Sequence, residues 1–132
     1  MSDELRFEIT RWEESGYGAE DALYDRAADG PPTARVRMAK RWSGLLEGTS
    51  AGEVQTCGQE GYLATERIAG TLAGRRGSFV LQHGAMGAEG EQPRQFAWVV
   101  PGSGTGELTG LRGEGRVEHG LLTLDWSLPA TG

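Results

Sequence analysis

Apolar and polar residues alternate along most of this chain. This period of two places successive side chains on opposite faces of a β-strand. Near the amino terminus Leu5, Phe7 and Ile9 alternate with charged or polar residues. The same alternation recurs at roughly even spacing and predicts further strands within residues 34–42, 43–50, 53–57, 61–72, 77–87, 96–100, 106–115 and 116–128.

Turns that contain glycine separate these segments, which is typical of a β-sandwich or a β-barrel. Glycines also interrupt strand patterns at Gly70, Gly110, Gly113 and Gly115, as the bends of a small barrel require. Closure removes the exposed edges that an open sheet must protect. We therefore predict an all-β fold in which residues 1–132 form a single domain, a closed antiparallel β-barrel of about eight strands.

Residues 13–32 break the alternation between the first two strands. The segment is too long for a hairpin, and "AEDALYDRAA" within it is compatible with a short helix that ends at Gly30 and Pro31. Long connections of this kind are often lids or disordered insertions. Two interpretations stay open, a solvated flexible loop and a lid over the mouth of the barrel.

The composition limits the partners of the chain. Its 132 residues are enough to bury a hydrophobic core. Its net charge of −6 repels nucleic acid and anionic membrane surfaces. The single cysteine, Cys57, cannot form an internal disulfide, which suits a reducing compartment. The acidic start lacks the pattern of a signal peptide, and no apolar run approaches the roughly 20 residues of a membrane span. We predict a cytoplasmic protein with neither nucleic acid nor membrane as partner.

The glycine-rich stretch "VVPGSGTGELTGLRGEG", residues 99–115, follows a predicted strand as phosphate-binding loops do. However, Thr109 occupies the third glycine position of a GxGxxG fingerprint, and no P-loop lysine is present. No helical period follows to provide an anion-binding helix terminus, and Glu107 adds negative charge. The stretch therefore indicates a corner of a barrel rather than a nucleotide site.

Three segments carry a resemblance to a known family: "SGLLEGTS" (43–50), "GYLATERIAGTLAGRRGSFVLQH" (61–83) and the stretch 99–115. In these the chain resembles the bacterial domain of unknown function 3224 family, which is similar to the allene oxide cyclase-like barrels. The resemblance implies eight antiparallel strands around a cavity, in a lipocalin-like architecture. It also implies an apolar small molecule inside the barrel and association into homodimers or trimers. It provides no catalytic residues, because the family has no established activity.

Candidate chemistry comes from polar residues on apolar strand faces. Two histidines and one cysteine lack any metal-ligand spacing, so we predict neither a metal nor a cofactor. Glu66 shares a face with Tyr62 and Ile68, and His83 shares one with Phe79. If both faces point inward, burial would raise the carboxyl pKa and lower the imidazole pKa, as general acid–base catalysis near neutral pH requires. The predicted catalytic residues are Glu66, His83 and Tyr62.

Structural roles are the alternative for the same residues. Glu66 would form an ion pair across strands with an arginine such as Arg75, and His83 would bond to backbone at a strand end. Lys40 shares the face of Val36 and Trp42 and is a further candidate, although a lysine at a strand end usually extends to solvent.

A barrel of about eight strands has just enough interior for its own side chains or for one small ligand. The predicted lining of such a pocket is Phe7, Met38, Trp42, Phe79, Leu81, Phe96, Trp98 and Trp126. Three functions follow: a cofactor-free cyclase or isomerase acting on an apolar metabolite, a carrier that binds without chemistry, and a structural barrel with a filled interior.

Overall fold

Eight antiparallel strands form one closed barrel in the computed structural model, which describes residues 2–16 and 30–130. Each strand pairs with its neighbour in the chain, and the last pairs with the first. The strands are β1 (Ser2–Gly16), β2 (Thr33–Ser43), β3 (Leu46–Cys57), β4 (Gly61–Leu72), β5 (Arg75–Met86), β6 (Arg94–Val99), β7 (Arg112–Glu118) and β8 (Leu121–Ser127). This topology confirms the predicted eight-stranded antiparallel barrel.

Two predicted boundaries are wrong. β1 continues to Gly16, which pairs with Ala34, so residues 13–16 are strand rather than connection. β3 is one strand, where the sequence indicated separate strands at 43–50 and 53–57, because its pairing with β2 and β4 continues through Gly52 without a break. The helix or lid predicted within 13–32 falls mainly on residues 17–29, which lie outside the described residues.

The interior of the barrel has two parts. Toward the end where β2 finishes and β3 begins, it is occupied by a buried apolar core, and we call this part the filled half. Its buried core consists of Leu5, Trp42, Leu46, Ile68, Leu72, Phe79, Leu81, Ala97, Val99, Leu108, Leu111, Leu122 and Leu124. Toward the opposite end a smaller cluster of Val36, Met38, Val54 and Ala64 packs with Tyr62. We call this second part the open half.

The glycine-rich stretch 99–115 closes the filled half. Its centre is a single 3₁₀ turn, Gly106–Leu108, and Leu108 and Leu111 are fully buried in the core. The stretch lies beside β5, where Ser103, Thr105 and Glu107 accept hydrogen bonds from the backbone N–H groups of Val80, Ser78 and Arg76 at 3.0, 3.1 and 3.1 Å. It is an architectural corner, as its sequence indicated.

The inward face of β6 is the opposite of the predicted one. Ala97 and Val99 are buried inside the barrel, whereas Trp98 is 55% exposed on the outer surface and its ring contacts that of Phe96 at 5.0 Å between centroids. Contrary to the prediction, Phe96 and Trp98 therefore do not line a pocket in the interior of the barrel. Apolar residues occupy both faces of this strand, so alternation alone did not distinguish them.

The contrast between two large aromatic side chains tests this arrangement. Phe79→Ala removes a fully buried ring and is expected to lower the free energy of unfolding by about 3–5 kcal/mol. Trp98→Ala removes an exposed ring and is expected to lower it by about 1 kcal/mol or less. Urea denaturation followed by circular dichroism measures both, and equal losses would contradict the assignment of faces.

Candidate functional site

A cavity of about 390 Å³ occupies the open half of the barrel. This volume lies within the range of small-molecule sites. Its apolar wall includes Phe7, Ile9, Trp12, Met38, Val54 and Val117. Lys40, Tyr62 and His83 are among the side chains with polar groups that line it, which also include Thr56, Gln59 and Glu60. The cavity therefore combines a mostly apolar wall with a few polar groups, as a site for an apolar molecule requires.

An extra residue in β1 shapes one wall of this cavity. Ile9 pairs with Lys40 and Arg11 with Ala39, so Thr10 forms a bulge without a partner on β2. Because one inserted residue reverses the alternation of faces, Trp12 rather than Arg11 reaches the cavity.

A buried carboxylate organises the inner end of the cavity. Oε2 of Glu66 accepts a hydrogen bond from Nζ of Lys40 at 2.8 Å and lies 2.7 Å from Nε2 of His83. Oε1 accepts from the Ser50 hydroxyl at 2.7 Å, and that hydroxyl accepts from the Trp42 indole N–H at 2.9 Å. These residues, together with Tyr62, are called the Glu66 cluster below. Within the described part of the chain, no buried side-chain nitrogen or oxygen lacks a hydrogen-bond partner.

The protonation of the cluster follows from its contacts. An ionised carboxylate only accepts hydrogen bonds, so the proton shared with Glu66 is carried by Nε2 of His83. In the neutral imidazole, Nδ1 is then the unprotonated nitrogen, and it lies 3.2 Å from the Tyr62 hydroxyl. In that form the hydroxyl donates to Nδ1, which gives a hydrogen-bonded chain from Tyr62 through His83 to Glu66.

The strand register places these residues together. Lys40 pairs with Ser50 across β2 and β3, Gly52 pairs with Glu66 across β3 and β4, and Ala64 pairs with His83 across β4 and β5. A Cβ atom at Gly52 would lie 2.0 Å from the Thr65 carbonyl oxygen and 2.9 Å from Cβ of Glu66. Only glycine therefore fits opposite Glu66, and the absent side chain leaves room for Lys40 to reach across β3.

The electrostatics of Glu66 differ from the expectation. Burial raises the pKa of Glu66, but the hydrogen bond from His83 and the positive charge of Lys40 outweigh it and hold the pKa at about 2. The prediction of a raised carboxyl pKa is wrong, because it did not include Lys40 as a partner. Burial lowers the pKa of Lys40 against the opposing effect of Glu66. Burial, with the charge of Glu66, raises the pKa of Tyr62 and keeps its hydroxyl protonated.

The structure brings the three predicted catalytic residues, Tyr62, His83 and Glu66, into one hydrogen-bonded chain. Glu66 is fully buried, whereas Tyr62 and His83 line the cavity. The ion-pair partner of Glu66 is Lys40, not an arginine, and Lys40 is only 2% exposed rather than extended to solvent. The alternation that put Lys40 on the face of Trp42 was the signal for this pairing.

Among the residues predicted to line a pocket, Phe7 and Met38 lie in the cavity wall. Trp42, Phe79 and Leu81 instead belong to the core of the filled half. The strand faces were correct for these three side chains, but alternation gives no information on how far along the barrel axis the space is filled.

Trp126 lies away from the cavity. Its indole N–H donates to the Asp3 carboxylate at 2.9 Å. Trp126 and Trp98 border a separate groove between β6 and β7. Only two residue pairs join these strands, Ala97 with Gly115 and Trp98 with Glu114, so the strands separate beyond them.

A metal centre and a membrane-spanning helix are both absent from the described residues. No three histidine, cysteine, aspartate or glutamate side chains there are grouped so as to hold a metal ion. In the same ranges, 2–16 and 30–130, no helix has the length and apolar character needed to cross a bilayer.

Fold and site together define a closed eight-stranded antiparallel barrel with a cavity in one half. Residues 5–121 match the family described as protein of unknown function (DUF3224), and the chain belongs to that family. It is similar to the crystal structure of a DUF3224 protein of unknown function from Shewanella oneidensis MR-1, with 31% identity and a TM-score of 0.80. The match covers 99% of this chain and 98% of that one. No curated protein matches the chain.

The depressed pKa of Glu66 predicts a specific acid sensitivity. A carboxyl group with a folded-state pKa of about 2 and an ordinary value of 4.5 stabilises the fold above pH 4.5. That stability, on the order of 3 kcal/mol, is lost as the pH falls from 4.5 toward 2. Urea denaturation across this range should show the loss in the unmodified protein.

Glu66→Gln should lack this part of the pH dependence and should already be less stable at neutral pH, because Lys40 loses its counter-charge. Glu8→Gln removes an exposed partner of Arg41 and serves as the control, with the slope of the unmodified protein. The assignment fails if Glu66→Gln and the unmodified protein lose stability in parallel below pH 4.5.

Proposed function

We propose that this chain binds a small, mostly apolar molecule in the open half of its barrel and catalyses a proton-transfer isomerisation or cyclisation without a cofactor. The observation that carries this proposal is the chain from Tyr62 through His83 to Glu66 at the inner end of an apolar cavity. The resemblance to allene oxide cyclase-like barrels supports it as an analogy of fold.

The cluster contains an acid and a base in contact with the cavity. The Tyr62 hydroxyl turns from Nδ1 of His83 to a ligand oxygen, and its raised pKa keeps it a hydrogen-bond donor. Nδ1 is then free to remove a proton from the carbon next to the polarised group. Glu66, at 2.7 Å from Nε2, stabilises the imidazolium that forms. Return of the proton to another carbon, or ring closure, completes the reaction.

The charge of the cluster favours a ligand with a neutral oxygen. Lys40 and Glu66 form a close ion pair, so with a neutral His83 their charges cancel. A carboxylate ligand would bring a second negative charge toward Glu66 in a partly desolvated site, which is unfavourable. A carbonyl or hydroxyl group adds no charge. The cavity volume suits about 15–20 non-hydrogen atoms.

A carrier without chemistry is the second candidate. Every buried polar side-chain atom described here is already partnered within the chain, so the cluster is satisfied before any ligand enters. Such a cluster can stabilise the wall of a binding cavity as well as transfer protons. The third sequence-based function, a barrel with a filled interior, describes the filled half but leaves the cavity unused.

Self-association into a dimer or trimer and a cytoplasmic location stay predictions. Leu63 and Trp98 are exposed on the outer surface. Leu63 and Phe96 both lie beside Gly84, since a Cβ atom built on that glycine would be 2.9 Å from each of them. These neighbouring apolar side chains support self-association through the outer face of β4 to β6.

Proton exchange with solvent tests the proposed chemistry without knowledge of the natural substrate. Methyl heptyl ketone, an apolar ketone, is dissolved in heavy water with the protein, and NMR follows exchange of the protons next to its carbonyl. The unmodified protein should accelerate exchange, and His83→Gln should reduce the acceleration by about 100-fold or more. Tyr62→Phe should also reduce it, because the carbonyl loses its hydrogen-bond donor.

His119→Asn is the matched control, since His119 is the second histidine of the chain and is exposed in the turn between β7 and β8. It should leave the exchange rate unchanged. Binding of the ketone, followed by tryptophan fluorescence, without accelerated exchange would favour the carrier. Absence of binding would contradict the proposed function.

A further inference from the structure

We infer that Lys40 is a covalent site, at which the amine captures an apolar aldehyde or ketone as a protonated Schiff base. The inference rests on the proposed function, because it needs a carbonyl compound in the cavity. It adds a nucleophile to a site whose proposed chemistry uses Tyr62, His83 and Glu66.

Lys40 is the only lysine in the chain, and the other twelve basic residues are arginines. A lysine amine forms imines with carbonyl groups, whereas the guanidinium of arginine stays protonated. The one amine side chain therefore lies at the one described cavity that combines an apolar wall with an acid–base pair.

The position of the amine suits attack on a carbonyl carbon. Nζ lies 4.0 Å from the centroid of the Phe7 ring and 5.4 Å from that of Trp42, with Glu66 Oε2 at 2.8 Å. Aromatic faces thus shield the amine on the apolar side, and a carboxylate able to accept its proton lies on the other side. Burial lowers the pKa of Lys40, which enlarges the fraction of neutral amine near neutral pH.

The reaction balances without an oxidant or reductant. Lys40 passes one proton to Glu66, and the neutral amine attacks the carbonyl carbon to form a C–N bond. The carbonyl oxygen takes up the two remaining amine protons, the C–O bond breaks, and water leaves. Glu66 returns its proton to the imine nitrogen. One ammonium and one carbonyl have become one iminium and one water.

The charges of the site support this product. The ammonium of Lys40 and the iminium formed from it each carry one positive charge, and Glu66 neutralises both. No buried charge loses its partner during the reaction, so the reaction does not incur the free-energy cost of an unpaired buried charge. The Tyr62 hydroxyl, which also lines the cavity, can donate to the carbonyl oxygen as negative charge develops on it.

Reductive trapping tests the inference. The protein is incubated with nonanal and sodium cyanoborohydride, which converts a Schiff base to a stable secondary amine, and peptide mass spectrometry locates the alkyl group. We expect one alkyl group on Lys40 of the unmodified protein. Because the alkylation site is mapped on the unmodified protein, this result does not depend on whether any variant folds.

A lysine exchange provides the matched control. In the double variant Lys40→Arg with Arg41→Lys, the single lysine moves to the neighbouring exposed position beside Glu8, and the charge inside the barrel is kept. Lys40 in the unmodified protein should react about tenfold or more faster than the exposed lysine, because the cavity holds the aldehyde beside its amine.

Two results would overturn the inference, namely alkylation confined to the terminal amine and equal rates at the buried and exposed lysines. Nonanol, which cannot form an imine, separates this inference from the proposed function. If nonanol quenches or shifts the tryptophan fluorescence and nonanal gives no Lys40 adduct, the cavity binds and the covalent role is wrong. If neither compound binds and no adduct forms, both proposals fail.

Discussion

The contact of Lys40 and His83 with one oxygen of Glu66 is the interaction on which the open half depends. A carboxylate without these partners would be too costly to bury in a barrel. With Lys40 at 2.8 Å and His83 at 2.7 Å, Glu66 stays ionised and fully buried. The same contacts fix which nitrogen of His83 faces Tyr62, so the stability of the fold and the proposed chemistry of the site depend on the same side chains.

The barrel is packed unevenly along its axis, and the Glu66 cluster lies at the boundary. On one side apolar residues and the corner formed by residues 99–115 form a buried core. On the other side the β1 bulge turns Trp12 toward a cavity of about 390 Å³. The filled half thus supports strands whose other ends position Lys40, Tyr62 and His83. Interior glycines such as Gly52 let polar side chains meet across intervening strands.

Period-two alternation predicted the barrel, and it put Tyr62 and Glu66 on one apolar strand face and His83 on another, because side chains two residues apart share a face of a strand. It did not predict the partner of Glu66, since strand-to-strand neighbours depend on register, which one sequence does not specify. It assigned the wrong inward face to β6, because Ala97 and Trp98 are both apolar and only packing determines which of them faces the interior. It also placed Phe79 and Leu81 beside a cavity, because the sequence carries no measure of depth along the axis.

Tryptophan positions provide the most direct test of where a ligand binds. Trp12 lines the cavity and is 49% exposed, Trp42 is buried in the cluster, and Trp98 and Trp126 border the distant groove. Fluorine NMR of protein labelled with fluorotryptophan therefore reports on separate regions of the barrel. On titration with methyl heptyl ketone, the Trp12 resonance should shift while those of Trp98 and Trp126 stay in place. A shift confined to Trp98 and Trp126, or no shift at all, would contradict a ligand site in the open half.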